Sequence, residues 1–195
     1  MNEIRDINGY FRSLALAAQQ MPLESVEQMA DVLLGAYDAG RTIYLFGNGG
    51  SAALASHFAC DLGKGARNGS RKRFRVVALT DNVPLMTAWA NDSSYEDIFA
   101  EQLTNLVRPG DVAFAISGSG NSPNVLRALT VAREAGAATV GLTGFQGGEM
   151  KRLCDVCMVV PSDNMQIIED LHLSTSHALF TAIRARLCQA AGAHA

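Results

Sequence analysis

Arg41-Thr42-Ile43-Tyr44-Leu45-Phe46 is apolar along most of its length and stops at Gly47, and four later runs are built the same way. They occupy residues 74–79, 112–116, 138–142 and 156–160. Short runs with little polar alternation read as strands covered on both faces. Between them the spacing changes. In Val125-Leu126-Arg127-Ala128-Leu129-Thr130-Val131-Ala132-Arg133 the apolar residues fall on one side and both arginines on another, as in a helix. Strand and helix in alternation call for parallel pairing with right-handed crossovers. The expected fold class is α/β: a three-layer α/β/α sandwich around a five-stranded parallel sheet.

Two helices, residues 4–20 and 23–39, are expected before the first strand, with Pro22 breaking them. A long helix over residues 165–189 is expected after the last. The leading pair carries leucine and alanine stripes that one small sheet does not fully cover, so it is expected to pack across a homo-oligomer interface. With 195 residues the whole chain, 1–195, reads as one domain: helices at 1–40 and an α/β core at 41–195. A chain this long buries about 70% of its unfolded surface and needs no disulfide staples.

Sixteen basic residues against 19 acidic ones give a net charge of −3, which does not favour a nucleic-acid partner. No apolar run reaches the roughly 18–20 residues of a membrane span, and Met1–Asp6 lacks the start of a secretory signal. A cytoplasmic protein is expected.

The chemistry is concentrated in the loops. The first strand runs into Gly47-Asn48-Gly49-Gly50-Ser51, where glycines let backbone approach an anion and a new helix offers unpaired N–H groups. Ser51 is placed to cap that helix. No Gly-Lys-Ser/Thr follows, which argues against a nucleoside triphosphate. The third strand repeats the device as Ser117-Gly118-Ser119-Gly120-Asn121-Ser122-Pro123, with Pro123 placed to start a helix. Three hydroxyls among backbone N–H groups make a neutral cradle for a phosphate monoester. In a doubly wound sheet both loops lie at the carboxyl ends of strands, where ligands bind. A third turn, Leu142-Thr143-Gly144, continues that edge.

These loops, together with His57-Phe58-Ala59 and Asn91-Asp92, closely resemble the sugar-isomerase (SIS) domain proteins, and within them the phosphoheptose isomerases. The resemblance covers nearly the whole chain. It implies a flavodoxin-like sheet and conversion of D-sedoheptulose 7-phosphate to D-glycero-D-manno-heptose 7-phosphate through an enediol. It also implies a homotetramer with interfacial sites. Non-catalytic phosphosugar-binding regulators, including the replication-initiator-associating type, share the domain, as do isomerases of other sugar phosphates.

Two helices add histidines and carboxylates. His57 and Asp61 are four apart, hence on one helix face, and the last helix holds Glu169-Asp170-Leu171-His172 and then His177. Two histidines and two carboxylates suit zinc. The resemblance places metal ligands at His57, Asp61, Glu169 and His177, one Zn²⁺ per subunit. The family usually has Glu at the position of Asp61 and Gln at that of Glu169, which leaves the base open between these two. Spacing alone favours His172 beside Glu169; the resemblance selects His177. Glu169 and His177 are separated by about 12 Å along a helix and by about 80° around it, so a neighbouring subunit is expected to complete the site. The implied catalytic set is Asp61, Glu169 and His177. The implied substrate set is Asn48, Gly49, Gly50, Ser51, Asp61, Asn91, Asp92, Ser117, Gly118, Ser119, Ser122 and Glu169. No redox or nucleotide cofactor is implied. Cys154 and Cys157 read as buried structural thiols, and the basic stretch 64–73 as a solvated connection.

Overall fold

A computed structural model describes residues 6–66 and 72–192. The strands are β1 (Thr42–Gly47), β2 (Arg75–Ala78), β3 (Val112–Ile116), β4 (Ala138–Thr143) and β5 (Val156–Val159). They form one parallel sheet in the order β2-β1-β3-β4-β5. The helices are α1 (Ile7–Gln19), α2 (Leu23–Ala39), α3 (Gly50–Cys60), α4 (Val83–Asp92), α5 (Ala100–Leu106), α6 (Pro123–Glu134), α7 (Met150–Leu153) and α8 (Met165–Gly192).

Side chains alternate along β1 and divide the core in two. Ile43 and Leu45 face α2, α3 and α8, whereas Tyr44 and Phe46 face α5 and α6. β3 does the same with Phe114 on the first face and Ala113 and Ala115 on the second. Phe58 of α3 meets Phe114 edge-on, ring centroids 5.6 Å apart, and both are fully buried. Burial of each such side chain contributes about 1.5–3 kcal/mol. Because β1 feeds α3 on one face and β3 feeds α6 on the other, the strand order reverses between these two neighbours. That is the switch point at which open α/β sheets bind ligands.

The five expected strands are all present. α1 starts at Ile7, later than the expected residue 4, because Asp6 caps it by accepting from Gly9 N–H at 2.6 Å; residues 1–5 lie outside the described residues. α2 buries Met29, Ala30 and Leu33 against its own sheet. α1 buries only Ala17 and leaves Ile7 and Phe11 77% and 63% exposed. In the basic stretch, Lys64 belongs to a π-helical turn, Asp61–Gly65, that continues α3; residues 67–71 lie outside the described residues. Cys154 and Cys157 are half-buried rather than fully buried, and both pack against the edge of the second core face. Among the described residues no helix is long and apolar enough to cross a membrane.

Candidate active site

Three loops meet at the carboxyl edge of the sheet. After β1 the chain turns at Gly49, whose φ of 55° and ψ of −121° suit glycine. This turn starts α3 at Gly50, so Ser51 is the second helical residue and not its cap, contrary to the sequence expectation. Ser51 is buried in that first turn.

After β3, Ser117 is buried and its Oγ accepts Gly120 N–H at 3.2 Å. The same oxygen lies 3.2 Å from Ser122 Oγ. Ser122 occupies the cap position of α6 without spending its hydroxyl on a cap hydrogen bond. Ser119 Oγ accepts Asn121 N–H at 3.2 Å, which leaves its own proton to give away. The cradle is thus three hydroxyls at the start of a 12-residue helix, where the dipole favours an anion. The third loop is stitched on by Gly144 N–H to Gly118 O at 2.9 Å.

α8 lies directly on these loops. A Cβ at Gly118 would strike Met165 Sδ at 2.4 Å, and one at Gly144 would strike Ile168 at 2.4 Å. Further along, α8 and α3 run side by side in the same direction, with Glu169 level with Gly50 and His177 level with His57. Phe180 is level with Gly65. The carboxylate oxygens of Glu169 come within 3.4 Å of where a Gly50 Cβ would be, at the positive end of α3. A cavity of about 330 Å³ follows the seam, lined by Gly50, Ser51, His57, Glu169 and His172 among others.

At the far end of the seam, His57 Nε2 lies 3.0 Å from His177 Nε2 and 3.4 Å from Asp61 Oδ2. The three donor atoms all fall within 4.8 Å of one another. A tetrahedral ion with arms of about 2.0–2.1 Å separates its ligands by about 3.3–3.4 Å, so two imidazoles and a carboxylate at these spacings fit a divalent metal. Asp61 opens the π-helical turn, a geometry that recurs at functional sites. Glu169 stands outside the donor group of its own chain, because eight residues of α8 carry it to the other end of α3.

His172 is 1% exposed and its Nε2 lies 3.1 Å from Thr143 O. A carbonyl only accepts, so Nε2 holds the proton and Nδ1 is the bare nitrogen; that nitrogen is buried without a partner. Burial pushes its pKa down to about 4, against the opposing pull of the Thr143 hydrogen bond. It is neutral at pH 7 and holds α8 to β4. Asn91 and Asp92 end α4, exposed, joined by a 2.8 Å hydrogen bond from Asn91 Nδ2 to Asp92 Oδ1.

Two residues here have no local sequence signal. Asn124, in the first turn of α6, exchanges two hydrogen bonds with Asn48, and Tyr95 donates a third to Asn48. Neither was marked by spacing or motif, since the contacts bridge 76 and 47 residues.

The SIS-domain family profile matches residues 9–144. A phosphoheptose isomerase of Bradyrhizobium sp. (strain ORS 278) is 42% identical over 167 residues, covering 86% of this chain and 84% of that protein. Among solved structures, a phosphoheptose isomerase from Neisseria gonorrhoeae superposes with a TM-score of 0.86 at 32% identity, over 92% of this chain and 97% of its own. A phosphoheptose isomerase from Francisella tularensis gives a TM-score of 0.84 at 30% identity, over 92% and 96%.

Proposed function

The chain belongs to the SIS-domain family and, within it, to the phosphoheptose isomerases, the aldose–ketose isomerases of D-sedoheptulose 7-phosphate; we propose that it carries out this reaction along the seam between α3 and α8. The observation that carries this reading is the convergence of His57, Asp61 and His177, from two helices, on a seam whose other end packs against the serine loop.

Ser117, Ser119 and Ser122 hold the phosphate, assisted by backbone N–H groups and the start of α6. The glycine loop, including Gly49 and Gly50, orients the open-chain sugar, with Asn91, Asp92 and Glu169 toward its hydroxyls. Isomerisation moves a proton between two adjacent carbons and their oxygens, so base and acid must stand within a few ångströms of each other. Asp61 and His177 meet that condition in this chain and Glu169 does not. Asp61 therefore removes the proton beside the carbonyl, and His177 shuttles a proton at the neighbouring oxygen as the enediol forms and collapses.

The same three residues fit Zn²⁺, which when bound supplies Lewis-acid polarisation of substrate oxygens. Glu169 reaches such a site only from another subunit. The exposed apolar side chains of α1 support assembly into a homotetramer. The deciding experiment incubates the purified protein with sedoheptulose 7-phosphate, with and without added Zn²⁺, and follows aldose formation. Binding without aldose formation in either case overturns the isomerase reading in favour of a phosphosugar-sensing protein.

A further inference from the structure

Val125 N–H lies 3.0 Å from Asn124 Oδ1, and this contact fixes the polarity of a small network. A backbone N–H only donates, so the atom it meets must be the amide oxygen of Asn124 and not its nitrogen. That oxygen also faces Asn48 at 2.9 Å, so the Asn48 atom there is Nδ2, the donor. The Asn48 oxygen is then turned toward Asn124 Nδ2 at 2.8 Å and toward the hydroxyl of Tyr95 at 3.1 Å. Both lone pairs of each amide oxygen are accounted for, and each amide keeps one N–H.

We propose that Asn124 and Tyr95 are positioning residues that tie the glycine loop to the serine loop and restrict the Asn48 side chain to donating to ligand oxygen. The pairing crosses the switch point. Asn48 follows β1 and leads into α3, Asn124 opens α6 beyond the serine cradle, and these two helices pack on opposite faces of the sheet. Asn124 is 1% exposed, so its amide cannot exchange Asn48 for bulk water. Tyr95 is 57% exposed and belongs to the turn after α4, which fastens the Asn91–Asp92 segment to the same point. An amide that can only donate suits a phosphate oxygen, a carbonyl or the lone pair of a hydroxyl. It cannot accept a sugar hydroxyl proton. Asn48 therefore selects for an acceptor and is itself held by a partner that never touches the ligand.

The inference rests on the isomerase reading only for its choice of substrate. Asn124→Ala, Asn124→Asp and Tyr95→Phe are compared with wild type for KM and kcat on sedoheptulose 7-phosphate. Inorganic phosphate is measured in parallel as a ligand by calorimetry, and thermal midpoints are recorded. Asn124→Ala removes both amide hydrogen bonds of Asn48, leaves it only the Tyr95 hydroxyl among the side chains of this network, and is expected to raise KM and weaken phosphate binding about ten-fold, with kcat changed much less. Asn124→Asp keeps the acceptor for Asn48 Nδ2 and loses the donor, so it is expected to recover only part of the loss, and Tyr95→Phe to raise KM about three-fold. A lowered thermal midpoint with unchanged KM and unchanged phosphate affinity makes the pair merely structural and overturns the proposal. Should Asn124→Ala fail to fold, Tyr95→Phe decides alone: wild-type KM and phosphate affinity overturn it. A wild-type protein that binds phosphate but turns nothing over refutes the isomerase reading instead, and the phosphate affinities of the variants still test the network.

Discussion

His57 and His177 face each other with their Nε2 atoms 3.0 Å apart although 120 residues of chain separate them. Their rings meet edge-on, centroids 5.1 Å apart, and both are exposed to solvent. Two basic nitrogens held that close need either a shared proton or a shared cation. Either way the pair acts as a unit.

His177→Ala removes one half of that unit and leaves the serine cradle intact. The expected result is a fall in kcat of about 10²–10⁴-fold, with phosphosugar binding largely kept. Bound metal, measured by elemental analysis after loading with Zn²⁺, is expected to fall with it. Wild-type turnover in the variant would remove His177 from the reaction.

Ser119→Ala with Ser122→Ala addresses the opposite end of the substrate. Each hydroxyl lost toward a charged phosphate is expected to weaken binding by about 1.5–3 kcal/mol. Neither serine is part of the hydrophobic core, so the unfolding midpoint should move little. Steady-state kinetics and thermal melting together separate the two effects; an unchanged KM would place the phosphate elsewhere.

His172 makes stability depend on pH. Its folded pKa of about 4 lies below the ordinary value of 6.5, so between these values the unfolded chain binds the extra proton. The associated stability is fully present above pH 6.5 and is lost as pH falls toward 4, a change of about 3 kcal/mol. Urea unfolding from pH 7 to 4 should show this slope in the wild type and a shallower one in His172→Gln.

Gly120 has a φ of 67° and would place a Cβ 2.2 Å from Gly147 O. Gly120→Ala should therefore destabilise the fold by at least about 2 kcal/mol, through strained backbone and a collision with main chain that cannot swing aside. Chemical denaturation measures it. A cost below 0.5 kcal/mol, about the size of a surface substitution, would mean the loop is softer than its packing indicates.

The sheet was readable because every strand is a local signal: an apolar run such as Val112–Ile116 needs no knowledge of its neighbours. The serine and glycine loops were readable for the same reason, since the turn and the chemistry share the same few residues. The α3–α8 seam was only half readable. Spacing put His57 and Asp61 on one face, and it warned that Glu169 and His177 point apart. It could not say which of them meets His57, because that depends on how two helices distant in sequence align. Spacing even preferred His172, whose ring is spent on Thr143 O inside the core. The cap of α3 was misplaced by the same kind of limit, since serine is the better cap on propensity and only the Gly49 backbone moves the helix start forward. Asn124 was invisible: an asparagine near a helix start looks like any polar surface residue until its partner is known.

The alignment of α8 against α3 works as a length gauge. Glu169 and His177 are set against Gly50 and His57 by the number of residues between them, with buried positions such as His172 fixing the helix against the sheet. Ser174 in that interval is exposed and can drift in sequence, whereas Asp170 accepts the Tyr10 hydroxyl at 2.6 Å and Leu173 lines the cavity. One inserted residue, however, would turn everything beyond it by about 100° and advance it by about 1.5 Å, swinging His177 out of the seam while the phosphate cradle stayed whole. Across descendants of this chain, substitutions should accumulate at Ser174 and insertions in the interval should not.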